Sequence, residues 1–232
     1  MHCFPLLAVL ACALAALVAC TTRPMTGAER AFSSTIQGVG LDADAVRVTR
    51  GAPIAAFPSS REPRPYVTCR ERIHPQETEK KVPWFVAGYV LNQRLFVSRR
   101  VWEDDFLSDY PAALPLADAM FFAHEMTHIW QWQQRESTGY APWRAASEHG
   151  LKDDPYLFEL TPGRRFGAYG FEQQASLVEE FVCCRALDPE GSRTERLYQL
   201  LRPVFPDIAR YSVPTDVKLP WAEAETDGIC SR

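Results

Sequence analysis

The chain has 232 residues, of which 47% are hydrophobic and 23% are charged, as in an ordinary soluble globular domain. Twenty-five Lys and Arg against 29 Asp and Glu give a formal net charge of -4. No dense basic run occurs, which argues against a nucleic-acid-binding role. The sequence has neither an internal repeat nor a boundary to a second domain, so residues 25–232 are predicted to form one domain.

The first 19 residues are predicted to form a signal peptide. They carry no charged side chain, and their apolar run is too short to span a bilayer comfortably. The run ends in Leu17-Val18-Ala19-Cys20, which resembles the lipobox of bacterial lipoproteins, where cleavage precedes a cysteine that is then lipidated. The usual Lys or Arg before the run is missing, and the alternative is an ordinary secretory signal cleaved near Ala19.

On the lipoprotein interpretation, residues 20–24 form a lipidated N-terminus and a short tether. Acyl chains on Cys20 would hold the protein at a membrane while its folded part stays in water, so the membrane is a partner only through the lipid anchor. By the same resemblance, Thr21 after the cysteine implies the outer membrane, with the protein facing the periplasm.

Four cysteines remain in the predicted mature domain: Cys69, Cys183, Cys184 and Cys230. In an oxidising compartment an even number of cysteines indicates two disulfides, with three possible connectivities. A bond between the adjacent Cys183 and Cys184 would be strained, so one of them is predicted to reach Cys230 and hold the C-terminal tail. The alternative is that some of the four are free and buried.

Hydrophobic patterning and turn residues predict an α+β fold. The predicted helices cover Thr26 to about Gln37, Leu116 to about Gln134, Phe171 to Ala186, and Thr194 to Leu201. The predicted strands cover Ala45 to Thr49, Phe85 to Leu91, and Leu95 to Val97, the last two forming a hairpin. Connections rich in Pro, Ser or Gly are predicted at 51–64 and 136–169, the second with a turn of helix at about 143–148.

The long predicted helix at 116–134 contains His124-Glu125-Met126-Thr127-His128. Residues four apart share a helix face, so His124 and His128 can direct two imidazoles at one metal ion, with Glu125 beside them as a general base. Imidazole nitrogen suits zinc, and a catalytic zinc site uses three protein ligands. The pentapeptide therefore predicts a zinc hydrolase site, the alternative being a core helix with two hydrogen-bonded histidines.

A third zinc ligand is required. Metzincins have Gly and His where Gln131 and Gln134 stand, so that class is excluded. Glu172, which opens the next long helix, is the predicted third ligand, because Ala175 and Ser176 would let that helix lie close to the first. The alternatives are Glu179 and Glu180, which could instead contact a ligating histidine from outside the metal's own shell.

Five segments together resemble the bacterial zincins labelled Vgr-related proteins, and through them the metallopeptidase-like domain of extracellular contractile injection system proteins. These segments are Met25–Glu29, Ala45–Thr49, the hairpin, His124–Gln131 and Tyr169–Ala175. The resemblance covers residues 25–187 and is most specific at His-Glu-Met-Thr-His-Ile-Trp-Gln and Glu-Gln-Gln-Ala. It implies a zincin-like fold, zinc ligands at His124, His128 and Glu172, and a base at Glu125.

Further roles are predicted around this site. Tyr169, with Tyr140 and His149 as alternatives, could donate a hydrogen bond to the oxyanion, as a Tyr or His commonly does in zincins. The strand Leu95–Val97 could be the sheet edge along which an extended peptide pairs, or could be sheet core.

The sequence thus predicts an α+β, zincin-like domain, with a small sheet on an active-site helix and a second helix that supplies Glu172. The predicted function is that of a zinc metallopeptidase acting on a peptide or protein, anchored in the cell envelope as a lipoprotein. The alternative is a non-catalytic envelope lipoprotein in which zinc staples two helices and the surface binds another protein. His149 as a fourth ligand would favour that alternative, since structural zinc leaves no position for water.

Overall fold

The computed structural model describes residues 22–52, 59–151, 154–211 and 216–231. Within them the fold is mixed α+β, with small sheets and several helices, which confirms the predicted class at that level. The predicted signal peptide and Cys20 lie outside the described residues, and both stay predictions. In the described stretches no helix is both long enough and apolar enough to cross a membrane.

Seven α-helices occur in the described residues: α1 (Gly27–Ser34), α2 (Cys69–Arg72), α3 (Leu116–Gln133), α4 (Arg135–Thr138), α5 (Pro142–Leu151), α6 (Phe171–Leu187) and α7 (Ser192–Leu201). The predicted capping box is present at the start of α1, where the side chains of Thr26 and Glu29 each accept from the other's backbone N–H. Three of the four predicted long helices keep their bounds within two residues.

The strands form three sheets, made of β1 (Thr22–Arg23), β2 (Arg47–Arg50), β3 (Ser59–Arg61), β4 (Val82–Trp84), β5 (Gly88–Leu91), β6 (Arg94–Val97), β7 (Ala113–Pro115) and β8 (Asp216–Lys218). The largest sheet has the order β1-β2-β6-β5, and β3 with β4 and β7 with β8 form two-stranded sheets. The predicted hairpin is confirmed, since β5 and β6 pair antiparallel around a turn in which Asn92 has a φ of 58°.

The edge position predicted for Leu95–Val97 is wrong, and the alternative that this strand is sheet core is confirmed. β6 lies between β5 and β2, so Leu95–Val97 is an inner strand and offers no free backbone edge. The physical reason is the parallel pairing of β2 with β6, which joins distant segments and leaves no local signal in the sequence. In the described part of the chain, β5 is instead the edge strand on the side of α3.

Helices α3 and α6 pack along each other through the middle of the core. Helix α3 is buried along most of its length, as expected for a helix with apolar residues on every side. Two disulfides hold other parts of the chain against α6: Cys69–Cys183 joins α2 to it, and Cys184–Cys230 joins the C-terminal tail to it. The predicted link between the Cys183-Cys184 pair and Cys230 is therefore confirmed.

The predicted connections contain more structure than their composition indicated. The segment at 51–64 includes β3, and the single turn predicted at 143–148 is the ten-residue α5. Helix α1 is shorter than predicted. It ends at Ser34, and a short 3-10 helix follows at Gly38–Gly40. These elements depend on partners elsewhere in the chain, such as β4 for β3.

Candidate metal centre

Helix α3 supplies two histidines and a glutamate to one buried site. Because His124 and His128 are four residues apart, they lie one turn apart on the same helix face, and their ring centroids are 4.9 Å apart. His124, Glu125 and His128 are 8%, 5% and 5% exposed. The apolar residues that surround α3 therefore bury three polar side chains at the same place.

Helix α6 brings Glu172 to the two histidines. Glu172 lies in the first turn of α6, 44 residues after His128. Its Oε2 atom is 3.2 Å from Nε2 of His128 and 3.4 Å from Nε2 of His124. The two Nε2 atoms are 3.2 Å from each other. Two nitrogens and one carboxylate oxygen thus form a nearly equilateral triangle.

This triangle has the size and chemistry of three ligands around a small divalent ion. In a tetrahedral site with bonds of about 2.1 Å, neighbouring ligand atoms are roughly 3.4 Å apart. His124, His128 and Glu172 form a group able to hold a metal ion. The geometry does not specify which metal, but two imidazoles and one carboxylate match the donor set of several catalytic zinc sites.

Hydrogen bonds outside the triangle orient both imidazoles. Nδ1 of His128 is 2.9 Å from Oε1 of Gln131, and Nδ1 of His124 is 3.3 Å from Oε2 of Glu179. Both partners are acceptors, so each Nδ1 carries a proton and each Nε2 faces the centre of the triangle. Gln131, which excludes the metzincin class in the sequence, is thus a residue that orients His128.

Arg70, in addition to His124, holds Glu179 in its charged form. Burial alone would raise the pKa of Glu179, but Arg70 and His124 outweigh it and lower the pKa to about 2. Arg70 lies 3.3 Å from Glu179 and follows Cys69, whose disulfide fixes α2 on α6. Glu179 therefore contacts His124 and lies outside the triangle, which is the position of a residue that contacts a candidate ligand from outside.

Glu180, the other alternative ligand, lies away from the triangle. Its carboxylate accepts from the backbone N–H groups of Cys69 and Arg70, and from Arg193. It therefore caps the first turn of α2.

A further glutamate fixes the start of α6. The carboxylate of Glu148, on α5, accepts from the backbone N–H groups of Phe171 and Glu172 at 2.8 and 3.2 Å. Gly170 precedes this turn, and a Cβ atom there would lie 2.7 Å from Oε2 of Glu148. The glycine therefore allows the acidic cap to approach, and the cap sets the position of Glu172.

The charge of Glu172 follows from its neighbours. Burial on its own would raise the pKa of Glu172, but His128, His124 and His149 together hold it well below its ordinary value. For His124, burial lowers the pKa, and the hydrogen bonds to Glu172 and Glu179 outweigh it and raise the pKa to about 10. Without a metal the cluster thus holds a proton between its imidazoles and carboxylates, and a bound cation would replace it.

Glu125 is placed differently from the three ligand candidates. Among the described residues, its buried Oε2 atom has no hydrogen-bond partner, and burial raises the pKa of its carboxyl group. A Cβ atom at Gly88 would lie 3.2 Å from Oε1 of Glu125, so the edge strand β5 passes close to this carboxylate. Glu125 and His124 line a cleft together with the segment Trp84–Gly88.

The structure does not bring Tyr169 into this cleft. The Tyr169 hydroxyl donates to the carbonyl of Glu159 at 3.0 Å, and its ring lies 4.0 Å from the guanidinium of Arg164. The hydroxyl already has a backbone acceptor, and the ring lines a different cavity, beside α7. This placement does not support the predicted oxyanion role.

Other aromatic and histidine side chains lie closer to the triangle. Tyr156 lines the cleft, with its ring 5.7 Å from that of His124. Nε2 of His149 is 3.4 Å from Oε1 of Glu172, the oxygen outside the triangle, and the ring of Tyr140 is 6.1 Å from that of His128. Tyr156 was not predicted as a site residue because it lies in a Pro-rich connection without periodicity. Glu179 could be found from the sequence, because it lies two helical turns after Glu172 and this spacing indicates a shared helix face.

Comparisons with known proteins give a partial likeness. No family model matches the chain. The type VI secretion system spike protein VgrG2b of Pseudomonas aeruginosa is 30% identical over 81 residues, which are 35% of this chain and 8% of that protein. The solved effector domain of the same VgrG2b aligns over 84% of both chains, with 19% identity and a TM-score of 0.45. The chain is therefore similar to a segment of a Vgr protein, and this part of the predicted resemblance is confirmed. The segment is a small fraction of that relative's length.

Proposed function

We propose that this chain is a zinc-dependent peptidase of the zincin type, anchored in the cell envelope through a lipid on Cys20. The observation that carries the proposal is the triangle of His124, His128 and Glu172, with Glu125 beside it, whose Oε2 atom has no partner among the described residues. Three ligands leave one position of a tetrahedral site open, as hydrolysis requires.

The donor set fits zinc on this chain's own chemistry. The Nδ1 partners of both histidines fix the tautomer that directs Nε2 inward, and the charged Glu172 adds one negative charge. His149 faces the other oxygen of Glu172, so it is placed to orient that carboxylate and is not a fourth ligand in this proposal. When bound, zinc would supply Lewis acidity, polarising a carbonyl group and lowering the pKa of a water molecule.

Glu125 is the residue that moves the proton. In the proposed reaction its carboxylate accepts a proton from the attacking water and then gives it to the leaving amine. Burial raises the pKa of Glu125 and so makes its carboxylate a stronger proton acceptor, and a group that both accepts and donates a proton acts best when its pKa is close to the working pH. The neighbouring β5 edge, with Gly88 beside Glu125, is where an extended substrate backbone would pair.

We assign the oxyanion-donating role to Tyr156 instead of Tyr169. Burial, together with the nearby Glu172 and Glu125, raises the pKa of Tyr156 well above its ordinary value. The phenol therefore stays protonated at neutral pH and is able to donate a hydrogen bond. Tyr156→Phe should lower kcat with little change in zinc content, and an unchanged kcat would remove Tyr156 from the mechanism.

The central test combines metal analysis with peptide turnover. Purified wild-type protein should contain about one zinc per chain and cleave members of a broad peptide library. Glu125→Gln should keep the zinc and lose activity by about 100-fold to 10,000-fold. Zinc in both proteins with turnover in neither would favour the alternative of a zinc-stapled binding protein. A wild type that binds no zinc would contradict both.

The membrane anchor has its own test. Palmitate labelling should mark the wild-type protein and send it to the membrane fraction, whereas Cys20→Ala should be unlabelled. Labelling that persists in Cys20→Ala would contradict the anchor without affecting the metal site.

A further inference from the structure

A second cavity, which the mechanism above does not use, lies beside the catalytic cleft. It has a volume of about 400 Å³ and shares Tyr156 and Arg70 with the cleft. Its walls are largely apolar, formed by Pro65, Val67, Leu157 and Phe158. Val67 and Leu157 are exposed, so the cavity is open at the surface.

Two residues that line the cavity each have a buried polar atom with unused hydrogen-bonding capacity. Oε1 of Glu71 is 2.8 Å from Nε of Arg70, whereas Oε2 of Glu71 has no partner among the described residues. The Glu71 side chain is only 9% exposed. The buried hydroxyl of Thr68 is likewise unpartnered in the part of the chain that the structure describes. An unpaired buried carboxylate oxygen is destabilising, so a donor that enters here would relieve that penalty.

The charges around the cavity leave an excess of negative charge. Among the charged side chains that line it, Arg70 and Glu71 pair with each other. The exposed Glu159 adds another negative charge to the lining. Arg70 does not oppose a cationic ligand strongly, because Glu71 and Glu179 both neutralise it. Burial also raises the pKa of Glu71, and a bound cation would oppose that shift.

We propose that this cavity binds a Lys or Arg side chain of the peptide substrate, with Glu71 as the acceptor for its cationic head. This inference rests on the peptidase function proposed above and specifies its substrate class. The aliphatic stem of the bound residue would lie against Val67 and Leu157, and its head group would donate to Oε2 of Glu71 and to Thr68.

The position of the cavity places the basic residue close to the bond that is cleaved. Tyr156 lines both the cleft and the cavity, and its ring is 5.7 Å from that of His124. Tyr156 and Arg70 therefore lie between the two spaces. A substrate that reaches the metal centre can direct the side chain of a neighbouring residue past Tyr156 into the cavity.

The test measures binding, so that it does not depend on turnover. Two acetylated pentapeptide amides, with Lys or norleucine at the centre and Ala elsewhere, are titrated into the zinc-loaded Glu125→Gln protein. We expect the Lys peptide to bind about tenfold more tightly than the norleucine peptide, the scale of one charge-assisted hydrogen bond. Equal binding of the two peptides would overturn the inference.

A matched pair of variants locates the preference. Glu71→Gln, added to Glu125→Gln, should abolish the preference for Lys, since it removes the charge and keeps an acceptor for Arg70. Glu77→Gln should retain it, because Glu77 pairs with Arg61 and lines a neighbouring cavity. A Lys preference that survives in Glu71→Gln, or that is lost in Glu77→Gln as well, would contradict the assignment to Glu71.

A third variant keeps the test decisive if Glu71→Gln does not fold. Val67 is 68% exposed, so Val67→Lys should fold and place a tethered ammonium group in the cavity. It should lose the Lys preference by competition. The two proposals fail separately: a Lys preference without cleavage of any peptide retains the cavity and removes the hydrolase, and cleavage without a Lys preference does the reverse.

Discussion

The two ends of helix α6 are held in different ways. At its start, Glu172 is positioned by hydrogen bonds, through the cap that Glu148 provides and the contacts with His124 and His128. At its end, Cys183 and Cys184 are joined covalently to α2 and to the C-terminal tail. The disulfides fix the end of α6 covalently. Its start, at Glu172, is held by groups that exchange protons and could bind a metal ion.

We therefore expect that stability and metal affinity can be changed separately in this protein. Changes at the cysteine end should act mainly on the free energy of unfolding. Changes at the Glu172 end should act mainly on metal affinity. Arg70 connects the two ends, because it follows Cys69 and contacts Glu179, which in turn contacts His124.

The largest expected effect is the removal of the disulfides. Cys69 and Cys183 are 114 residues apart, and Cys184 and Cys230 are 46 apart. Replacing each pair with Ala should lower the free energy of unfolding by about 5 and about 4 kcal/mol, because loops of this length gain entropy in the unfolded chain. Urea denaturation of the oxidised protein measures both changes. A loss of less than about 1 kcal/mol for either pair would contradict the scaffold role.

The same variants sharpen the separation when their zinc affinity is measured. Loss of Cys184–Cys230 should leave zinc affinity near the wild-type value, since that bond holds only the tail. Loss of Cys69–Cys183 should lower it, because α2 carries Arg70. Equal zinc affinities in the two variants would show that Arg70 keeps Glu179 in place without the disulfide.

The next effect is at the triangle itself. Glu172→Gln should weaken zinc binding by more than about 100-fold, beyond the range usual for groups that contact a ligand from outside. The amide has no charge, and its nitrogen is a poor metal ligand. Competition with a chromogenic chelator measures the loss, and the exposed Glu136→Gln is the matched control. Unchanged affinity in Glu172→Gln would remove Glu172 from the ligand set.

A smaller effect is expected where the imidazoles are oriented. Glu179→Gln and Gln131→Leu should each weaken zinc binding by about 10-fold to 100-fold. The first replaces the charged acceptor of the Nδ1 proton of His124 with a neutral amide, and the second removes the acceptor at Nδ1 of His128. Glu125→Gln, which changes a neighbouring buried carboxylate without an Nδ1 contact, is the comparison. If Glu179→Gln bound zinc no more weakly than Glu125→Gln, the contact with His124 would have no role in metal binding.

The smallest effect is expected at the cap of α6. Glu148→Gln keeps one acceptor but removes the charge near the helix N-terminus, so the free energy of unfolding should fall by about 0.5–1 kcal/mol. Zinc affinity should fall by less than tenfold, since Gln can still hold the first turn. A loss as large as that of Glu172→Gln would mean that the position of Glu172 depends on this cap alone.

Features that follow from local rules were predicted correctly from the sequence. The four-residue spacing of His124 and His128, the capping box at Thr26 and the hairpin at β5 and β6 are properties of neighbouring residues, and each is found in the structure. The strain expected between adjacent cysteines likewise predicted the link to Cys230.

Contacts between groups that are distant in the chain could not be predicted in this way. The choice of Glu172 over Glu180 depends on how α6 is rotated against α3, and the edge position of β5 depends on the pairing of β2 with β6. Tyr156 and Glu71 reach their sites from irregular or short segments, where periodicity carries no information. Contacts between residues about 40 or more positions apart depend on how the whole core packs. The neighbours of a residue in the chain do not specify them.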